Sequence, residues 1–593
     1  MTPRPVDRWL RLGGLLALLL PTLIAFDGPP SRSALNQQAA LAAWGLFGVA
    51  LAATCWPTAN LRDVRGLRGL LAALGVLALA VIASMVQRGF PLGLGLSALG
   101  FYAAAALCAG LGGLAQRSGT GDRAFDAFCA GLVAASVVGA GIGLVQLFAP
   151  QFIDGFLVGL PTAKGRIGGN LRQPNHLSSL LVAGLAALVW LHDAARRARG
   201  GRTVAFVAGA VLLVLATAGT ASRTGTLCIL LLCLWGVLDR NLAPMCRRVL
   251  WGMPVLYGLC WWGLELWAAA GVQGFAGQTV MNAADVSSSR FGAWSNVIDL
   301  VKMNPWTGVG WGEFNLAWTL TPFAHRPVAL FDHTHNLVLQ WLVELGLPLT
   351  LLVLGLILAA LWQVAVACRH AVADDRPMAR CALVMLAMIG AHSLLEYPLW
   401  YAYFLLPAAF VFGLALGARR AAAPAVASSG GRATAAGLGV AALLLSAAGV
   451  FAMVQYRVVL AMWDAEGQPA LLAQRIEEGR RSVFFAAQAE LAAATLSGTP
   501  PTDPRQYDQV RHLFLEPRVL VAMSRAYAAQ GDLERARYLA QRLKDLKSGG
   551  AGKFFEPCRQ PDPGTPLPYQ CVPPQGHLTF ADFQADRAPS PRP

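Results

Sequence analysis

Residues 331–363 read FDHTHNLVLQWLVELGLPLTLLVLGLILAALWQ. From residue 336 onward the stretch is almost entirely apolar, and it exceeds the about 20 residues that a helix needs to cross a hydrocarbon core of roughly 30 Å. Asp332, His333 and His335 stand directly before it. The stretch therefore predicts a membrane-spanning helix over residues 336–363, with a cluster of titratable side chains at its mouth.

The whole chain has the composition of a membrane protein. Of its 593 residues, 56% are hydrophobic and only 13% are charged, and the mean hydropathy is +0.51. So few charges cannot cover the surface of a soluble protein. We predict an all-α polytopic membrane protein with about 13 transmembrane helices. The predicted spans are residues 9–26, 38–57, 67–86, 91–115, 125–149, 174–194, 203–219, 224–239, 249–270, 336–363, 379–397, 399–417 and 434–456.

The basic residues predict how these spans are oriented. With the N-terminus in the cytoplasm, the loops on that side carry most of the Lys and Arg, as the positive-inside rule requires. The net charge of +15 then needs no nucleic-acid partner. The N-terminal segment has no small-residue cleavage site, so we interpret it as a first span and not as a signal peptide. The cytoplasmic residues include Arg4, Arg8, Arg62, Arg65, Arg199, Arg202 and Arg420.

This orientation places three segments on the far side, which is the periplasm of a Gram-negative bacterium. They are the loop 150–173, the loop 271–335 and everything after about residue 457. The predicted regions follow from it: an N-terminal transmembrane bundle at 1–270, a long periplasmic loop at 271–335, C-terminal transmembrane helices at 336–456, a periplasmic helical domain at 457–547 and a Pro/Gly-rich tail at 548–593.

The C-terminal region predicts a helical hairpin followed by an extended tail. Residues 516–543, EPRVLVAMSRAYAAQGDLERARYLAQRL, give two amphipathic helices joined at Gly531, a pair that resembles a tetratricopeptide (TPR) unit. The tail contains Cys558 and Cys571. In an oxidising periplasm these two cysteines either form a disulfide or stay free.

Basic residues on the far side are exceptions to the positive-inside rule, and they predict an anionic ligand there. Arg223, in ASRTGTL, stands at the outer start of the eighth predicted span, and Arg290 lies near the membrane in SSSRFGAW. Lys164, Arg166 and Arg172 share the loop 150–173.

The motif GGNLRQPNHLSS, residues 168–179, predicts a helix start at the outer face. Pro174 suits the first turn of a helix, where its missing N–H does no harm. Gln173, Asn175 and His176 then surround a helix N-terminus, which favours anions. Ordinary helix capping is the alternative interpretation.

His335 is the candidate acid–base group. Asn336, Gln340 and Glu344 follow it on one helix face, and polar side chains inside a span usually face a cavity or another helix. Helix-to-helix bonding is the alternative for Gln340 and Glu344. A metal site formed by Asp332, His333, His335 and His325 is a second alternative, although no further cluster completes its ligand set.

Two further motifs complete the candidate residues. In HSLLEYPLWYAYF, His392 and Glu396 share one helix face, and Tyr397, Tyr401 and Tyr403 follow. The spacing Gly308-x-Gly310-x-Gly312 has no preceding strand, so we reject nucleotide binding there.

Together these motifs resemble the Wzy/WaaL/PglL superfamily of glycosyltransferases with lipid-linked substrates. SRTGTL is similar to the Arg-x-x-x-Leu signature of O-antigen ligases, and HNLVLQWLVELG is similar to their His-x10-Gly signature. GGNLRQPNH and the long C-terminal extension resemble the PglL-type O-oligosaccharyltransferases, which glycosylate Ser or Thr of pilins and other periplasmic proteins. The resemblance implies that His335 is the essential His, that Gln173 is the Gln of the QPN element, and that a functional Tyr is Tyr397, with Tyr401 and Tyr403 as alternatives.

The resemblance also implies the chemistry. The donor is an oligosaccharide on undecaprenyl diphosphate in the inner membrane, and the acceptor is a pilin-like protein. We expect Arg223 and Arg290, helped by Arg172, to bind the diphosphate, because guanidinium forks suit phosphate oxygens. We expect His335 to activate the acceptor hydroxyl, and Asn175, His333 and Asp332 to bind substrate. No metal ion or other cofactor is expected.

Two other functions are alternatives to protein glycosylation. An O-antigen ligase or polymerase of the same superfamily would use a glycolipid or glycan acceptor. A transporter of lipid-linked substrates would place charges at the midplane of broken helices and show a repeat between its halves. The polar residues instead gather at one face, which favours a transferase.

Overall fold

The protein is described here by a computed structural model. It covers residues 5–55, 64, 66–197, 203–271, 274–277, 284–327, 330–419, 431–547, 551–559, 564 and 566–584. Within these ranges the regular structure is helical and contains no strand. Arg62, Arg65, Arg199, Arg202 and Arg420, predicted to be cytoplasmic, lie outside the described residues, as does Arg4.

The α-helices are numbered in chain order within the described ranges. They are α1 Pro5–Leu23, α2 Ala34–Thr54, α3 Leu67–Arg88, α4 Leu92–Arg117, α5 Gly121–Phe148, α6 Pro174–Arg197, α7 Thr203–Gly219, α8 Arg223–Leu238, α9 Pro244–Ala269, α10 Ala284–Met303, α11 Phe314–Leu320, α12 Leu337–His370, α13 Arg376–Ser393, α14 Ala402–Gly417, α15 Gly431–Asp464, α16 Pro469–Arg480, α17 Ala486–Thr495, α18 Val510–Leu513, α19 Pro517–Ala529, α20 Leu533–Asp545 and α21 Glu556–Arg559.

Among the described helices, α2, α3, α4, α5, α6, α12 and α15 are long and apolar enough to cross a membrane, and α7, α8 and α14 are shorter apolar helices. The chain is therefore a multi-pass membrane protein. Each of the predicted spans overlaps one helix, and α6 begins at Pro174 as the motif predicted. That all thirteen segments cross the membrane stays a prediction.

The chain forms two compact units. The first comprises Met1–Leu74, Ala103–Ala283 and Gly355–Met453, and the second comprises Gly75–Tyr102, Ala284–Leu354 and Val454–Pro593. Each unit draws on distant parts of the sequence, so residues far apart in the chain can build one site within a unit.

The first unit is packed through small residues where its helices cross. A Cβ atom added to Gly131 of α5 would lie 2.4 Å from the carbonyl oxygen of Gly14 in α1. One added to Gly112 of α4 would lie 2.3 Å from the carbonyl oxygen of Phe410 in α14. Backbones that approach this closely are typical of membrane helix interfaces. Beside them, Trp44 packs against Phe410 with ring centroids 5.6 Å apart.

The second unit has a core that joins the segment before α12 to the C-terminal helices. Trp318 of α11 is fully buried in this core. The Tyr538 hydroxyl of α20 donates to the carbonyl oxygen of Leu320 at 2.6 Å, and the N–H of Leu515 donates to Oδ1 of Asn315 at 2.8 Å. The described residues between 293 and 331 therefore fold together with helices from the last third of the chain.

The predicted C-terminal hairpin is present as α19 and α20. Its turn contains Gly531 at φ +80, a conformation that glycine adopts without strain. The two tail cysteines, Cys558 and Cys571, form a disulfide, which settles the choice that the sequence left open.

Candidate functional site

The predicted site residues are divided between the two units, and each group is described by itself. The first unit contains Arg172, Gln173, Asn175, Arg223 and Tyr397. The second unit contains Arg290, Asp332, His333 and His335. Arg290 lies in α10, and its side chain is outside the described residues.

In the first unit, a loop held by Gln146 leads into α6. The Gln146 amide oxygen accepts the N–H groups of Gly168 and Gly169 at 3.1 and 2.9 Å, and its NH2 group donates to the carbonyl of Gly159 at 2.7 Å. At the start of α6, the Gln173 side-chain oxygen accepts the N–H of His176 at 2.9 Å. Gln173 thus caps α6, which agrees with the alternative interpretation of this motif as ordinary helix capping. That Gln173 also binds substrate stays a prediction.

Arg172 ties this loop to the connection between α1 and α2. Arg172 is buried, with 2% of its surface exposed, and its φ of 57° lies in the left-handed region. The guanidinium donates to the carbonyls of Ala25 and Phe26 at 2.9 and 3.1 Å and to Oδ1 of Asn36 at 2.7 Å. It also bonds to the carbonyl of Arg32. These partners give Arg172 a structural part, and its contact with a diphosphate stays a prediction.

Asn175 joins the start of α6 to two other elements. Its NH2 group donates to the Glu396 carboxylate at 3.0 Å, and its oxygen accepts the Ser222 hydroxyl at 2.7 Å. The Ser222 oxygen in turn accepts the N–H of Gly225 at 3.1 Å and so caps α8. Glu396 is 3% exposed. The sequence analysis noted Glu396 for its spacing from His392 but assigned it no role, and its bond to Asn175 became visible only in the structure.

Arg223 is the first residue of α8 and its side chain is exposed. It follows the cap Ser222 directly, so the guanidinium and the first N–H groups of the helix share one end of α8. Arg166 adds a second cation, because its Nε donates to the carbonyl of Thr220 at 2.9 Å. Arg166 therefore contacts the loop between α7 and α8, and Arg223 lies at the end of that loop.

The three candidate tyrosines lie in different surroundings. Tyr397 is half-buried, and its hydroxyl accepts a 3.5 Å hydrogen bond from Tyr401. The Tyr401 ring packs against His176 with centroids 4.4 Å apart. Tyr403 is buried, with its hydroxyl 3.2 Å from Nδ1 of His176, and it lines an apolar cavity of about 70 Å³. Tyr397 is thus further from the core of the unit than Tyr403.

In the second unit, His335 occupies the last turn before α12. Its φ of 55 lies in the left-handed region, which is uncommon for a residue with a side chain and is often found at functional sites. The ring packs against Phe331 and His333, with centroids 5.8 and 4.2 Å away. Asn336 then caps α12, because its Oδ1 accepts the N–H groups of Val338 and Leu339 at 3.0 and 3.1 Å.

Asp332 and His333 form a close pair beside His335. The Asp332 carboxylate contacts Nδ1 of His333, which is buried while Asp332 is more exposed. Desolvation acts to raise the pKa of Asp332, but the charge and hydrogen bond of His333 outweigh it, so the pKa lies below its ordinary value. The carboxylate therefore stays ionised and able to orient the His333 ring.

Gly346, at the end of the His-x10-Gly spacing, breaks α12. It has φ of 74, and the N–H of Leu347 donates to the carbonyl of Pro305 at 2.8 Å. A Cβ atom at Gly346 would lie 2.4 Å from the carbonyl oxygen of Trp306, and one at Gly308 would lie 2.4 Å from the backbone of Glu344. The glycines at both positions let the segment 305–312 pack closely against α12 between Glu344 and Leu347.

Comparison with known proteins gives partial matches along most of the chain. Three family models match: one described as O-antigen ligase at residues 208–354, one as virulence factor membrane-bound polymerase, C-terminal, at 380–546, and one as protein glycosylation ligase at 167–192.

Two relatives come from Acinetobacter baylyi. A general O-oligosaccharyltransferase is 27% identical over 260 residues, covering 41% of this chain and 43% of the relative. A ComP-specific O-oligosaccharyltransferase is 26% identical over 264 residues, covering 44% and 46%. The chain thus spans less than half the length of these relatives.

Proposed function

We propose that this chain, which belongs to the O-antigen ligase (Wzy/WaaL) superfamily and within it to the PglL-type protein O-oligosaccharyltransferases, transfers an oligosaccharide from undecaprenyl diphosphate to Ser or Thr hydroxyls of periplasmic proteins such as pilin. One observation carries the proposal. The 2.7 Å hydrogen bond from Ser222 to Asn175 joins the segment matched by the protein glycosylation ligase model to the segment matched by the O-antigen ligase model. The two signatures therefore belong to one local structure.

The diphosphate of the donor binds at the outer end of α8. Arg223 is exposed at the first residue of that helix, where the helix dipole and the first N–H groups also favour an anion. Arg166 lies in the adjoining loop, and Arg290 supplies a further guanidinium. Charge-assisted bonds of this kind stabilise the negative charge that develops on the leaving group.

His335 acts as the general base. It takes the proton of the acceptor hydroxyl while the hydroxyl oxygen bonds to the anomeric carbon, and the bond from that carbon to the diphosphate oxygen breaks. Undecaprenyl diphosphate leaves. Asp332 and His333 orient the substrate beside the base, Gln173 and Asn175 support the start of α6, and Tyr397 offers a hydroxyl to the donor.

The topology follows from the charge pattern. The thirteen predicted spans cross the bacterial inner membrane with the N-terminus in the cytoplasm, and the reacting groups and the TPR-like domain face the periplasm. The hairpin α19–α20 supports a helical domain able to contact an acceptor protein. The reaction needs no metal ion or other cofactor, and the partners are the lipid-linked donor, the acceptor protein and membrane lipids, not nucleic acid.

The test is transfer by the purified chain in lipid nanodiscs, given a lipid-linked oligosaccharide and a pilin, with the acceptor mass as the readout. His335→Ala should abolish transfer without changing expression or membrane insertion. His577→Ala, at an exposed position in the tail, is the matched control and should transfer as the wild type does. Full turnover in His335→Ala would remove this residue from the mechanism.

A second function is favoured by the matches at residues 208–354 and 380–546, which are described as O-antigen ligase and polymerase. In that case the acceptor is a glycolipid or a glycan. The same assay with a lipid A–core acceptor in place of the pilin separates the two, because only the accepted substrate gains mass.

A further inference from the structure

A chain of buried hydrogen bonds leads from α12 back to the residue before His335. The N–H of Thr334 donates to the Gln340 side-chain oxygen at 2.8 Å, and the Gln340 NH2 group donates to the Glu344 carboxylate at 2.9 Å. Thr334, Gln340 and Glu344 are 2%, 2% and 4% exposed. Polar groups this deeply buried contribute to stability only when they are paired, and here they are paired with each other.

The far end of this chain of bonds is anchored in the segment that packs on α12. The Glu344 carboxylate faces the N–H groups of Gly312 and Phe314, and the carbonyl of Glu344 accepts the N–H of Gly310 at 3.1 Å. The Gln340 amide and these two backbone N–H groups thus supply the carboxylate with hydrogen-bond donors inside an otherwise apolar helix.

At the other end of the chain of bonds, Thr334 is held in place, and Thr334 directly precedes His335. Thr334 makes two bonds besides the one to Gln340. Its carbonyl oxygen accepts the indole N–H of Trp294 at 2.8 Å, and its hydroxyl donates to the carbonyl oxygen of Asn336 at 2.7 Å. His335 follows directly at φ 55. A residue with a side chain stays in that conformation only when its surroundings hold it there.

We propose that Gln340 and Glu344 are positioning residues for His335, acting on it through the backbone of Thr334. The proposal rests on the proposed function, because it takes His335 as the base of the transfer reaction. Neither side chain has to touch substrate. Their part is to keep the imidazole in one orientation, which a base must have at the moment of reaction.

The directions of the hydrogen bonds dictate a paired test. In Glu344→Gln one carboxylate oxygen becomes an NH2 group. This group cannot accept a hydrogen bond, so either the bond from Gln340 or the bonds from the N–H groups of Gly312 and Phe314 are lost. Combining Glu344→Gln with Gln340→Glu reverses the pair: a carboxylate at position 340 accepts the Thr334 N–H, and the amide at position 344 donates to it while its oxygen still faces Gly312 and Phe314. The double variant has the same volume and the same charge as the wild type. Gln363→Ala, in the same helix, controls for loss of a glutamine side chain.

Two readouts are taken on the full chain in nanodiscs: transfer kinetics and hydrogen–deuterium exchange of the peptide that contains Thr334. Glu344→Gln should lower kcat about tenfold, the effect of one lost buried hydrogen bond, with KM within about twofold. Exchange at Thr334 should become faster. The double variant should restore both, and Gln363→Ala should change neither.

Two results would overturn the proposal. One is wild-type kcat in Glu344→Gln despite faster exchange. The other is a loss of kcat that the double variant does not restore although exchange returns to the wild-type rate. If the wild-type chain glycosylates no acceptor, the proposed function fails, whereas unchanged exchange in Glu344→Gln independently refutes the link between this carboxylate and Thr334.

Discussion

The imidazole Nδ1 of His512 lies 2.7 Å from Oε1 of Glu313, and neither side chain is more than 1% exposed. Glu313 directly precedes α11, and His512 lies in α18. The pair therefore connects the segment before α12 to the C-terminal helices inside the core of the second unit. Asn315 reinforces it by accepting the N–H of Leu515.

We expect His512→Ala to destabilise the second unit strongly. It leaves the Glu313 carboxylate buried without its imidazole partner, and breaking a buried pair from one side costs about 3–5 kcal/mol. Arg475→Ala is the control, because it removes an exposed partner of Glu478 and should cost less than about 1 kcal/mol. Thermal unfolding of the two purified variants is the measurement, and equal midpoints would show that the buried pair is not stabilising.

Gly346→Ala should disrupt the approach of the segment 305–312 to α12. The added Cβ would lie 2.4 Å from a backbone carbonyl, at φ 74, so both the contact and the conformation oppose it. Gly355→Ala, in the same helix with nothing within 4 Å of the added Cβ, should be neutral or stabilising by up to about 1 kcal/mol. Melting temperature and transfer activity of the two variants are compared. Similar behaviour of both variants would contradict a special requirement at position 346.

The stability of the second unit should depend on pH through Glu490. Burial raises the pKa of this carboxyl to about 7, even though the N–H groups of Val510 and Gln509 bond to it and act in the opposite direction. Because the folded state holds the proton more tightly than the unfolded chain, the protonated acid adds stability that is fully present below the unfolded pKa near 4.5 and is lost as pH rises through 7. The change is roughly 3 kcal/mol.

Unfolding of the wild type and of Glu490→Gln is followed between pH 4.5 and 8 to test this. The variant cannot ionise, so its stability should vary less across that range. Parallel curves for the two proteins would mean that another group causes the pH dependence.

Arg223 should not be replaceable by lysine. A guanidinium that holds a diphosphate makes charge-assisted bonds worth about 1.5–3 kcal/mol, and Lys keeps the charge but loses the two-pronged geometry. We expect Arg223→Lys to lower transfer sharply and Arg223→Ala to lower it further, by about tenfold for each 1.4 kcal/mol lost. The same order is expected for Arg290. Donor turnover is measured at matched expression.

The exposed Arg518 provides the control, since Arg518→Lys should leave turnover unchanged. If both Arg223→Lys and Arg290→Lys are fully active, these residues anchor the chain to lipid headgroups instead, and the diphosphate is bound elsewhere.

Transfer should continue after metal ions are removed. The proposed donor site stabilises the diphosphate with guanidinium groups and the N-terminus of α8, so a divalent cation is not required. Turnover is compared before and after dialysis against EDTA, with the chelator then removed and single metal ions added back. Activity that is lost and restored by one metal would reverse this prediction and favour ligation near His333 and His335.

Local signals in the sequence determined where the helices lie. An apolar run of about 20 residues has few alternatives to a membrane helix, which is why each predicted span overlaps a helix. The helix starts predicted at Pro174 and at Arg223 are confirmed, because helix capping depends on residues within one turn. The titratable group at the mouth of α12 was visible for the same reason.

Only the tertiary structure decided what the polar side chains bind. The sequence could not show that Arg172 bonds to carbonyl oxygens of Ala25, Phe26 and Arg32, which belong to a connection far away in the sequence, and its contact with a diphosphate stays a prediction. The sequence left open whether Glu344 faces a cavity or bonds to another helix, and in the structure its carboxylate faces the N–H groups of Gly312 and Phe314. Helix α10, within the segment predicted as a loop, and the core it shares with the C-terminal helices were likewise missed. A hydrogen bond or a buried contact depends on where the chain returns in space, and no periodicity in the sequence carries that information.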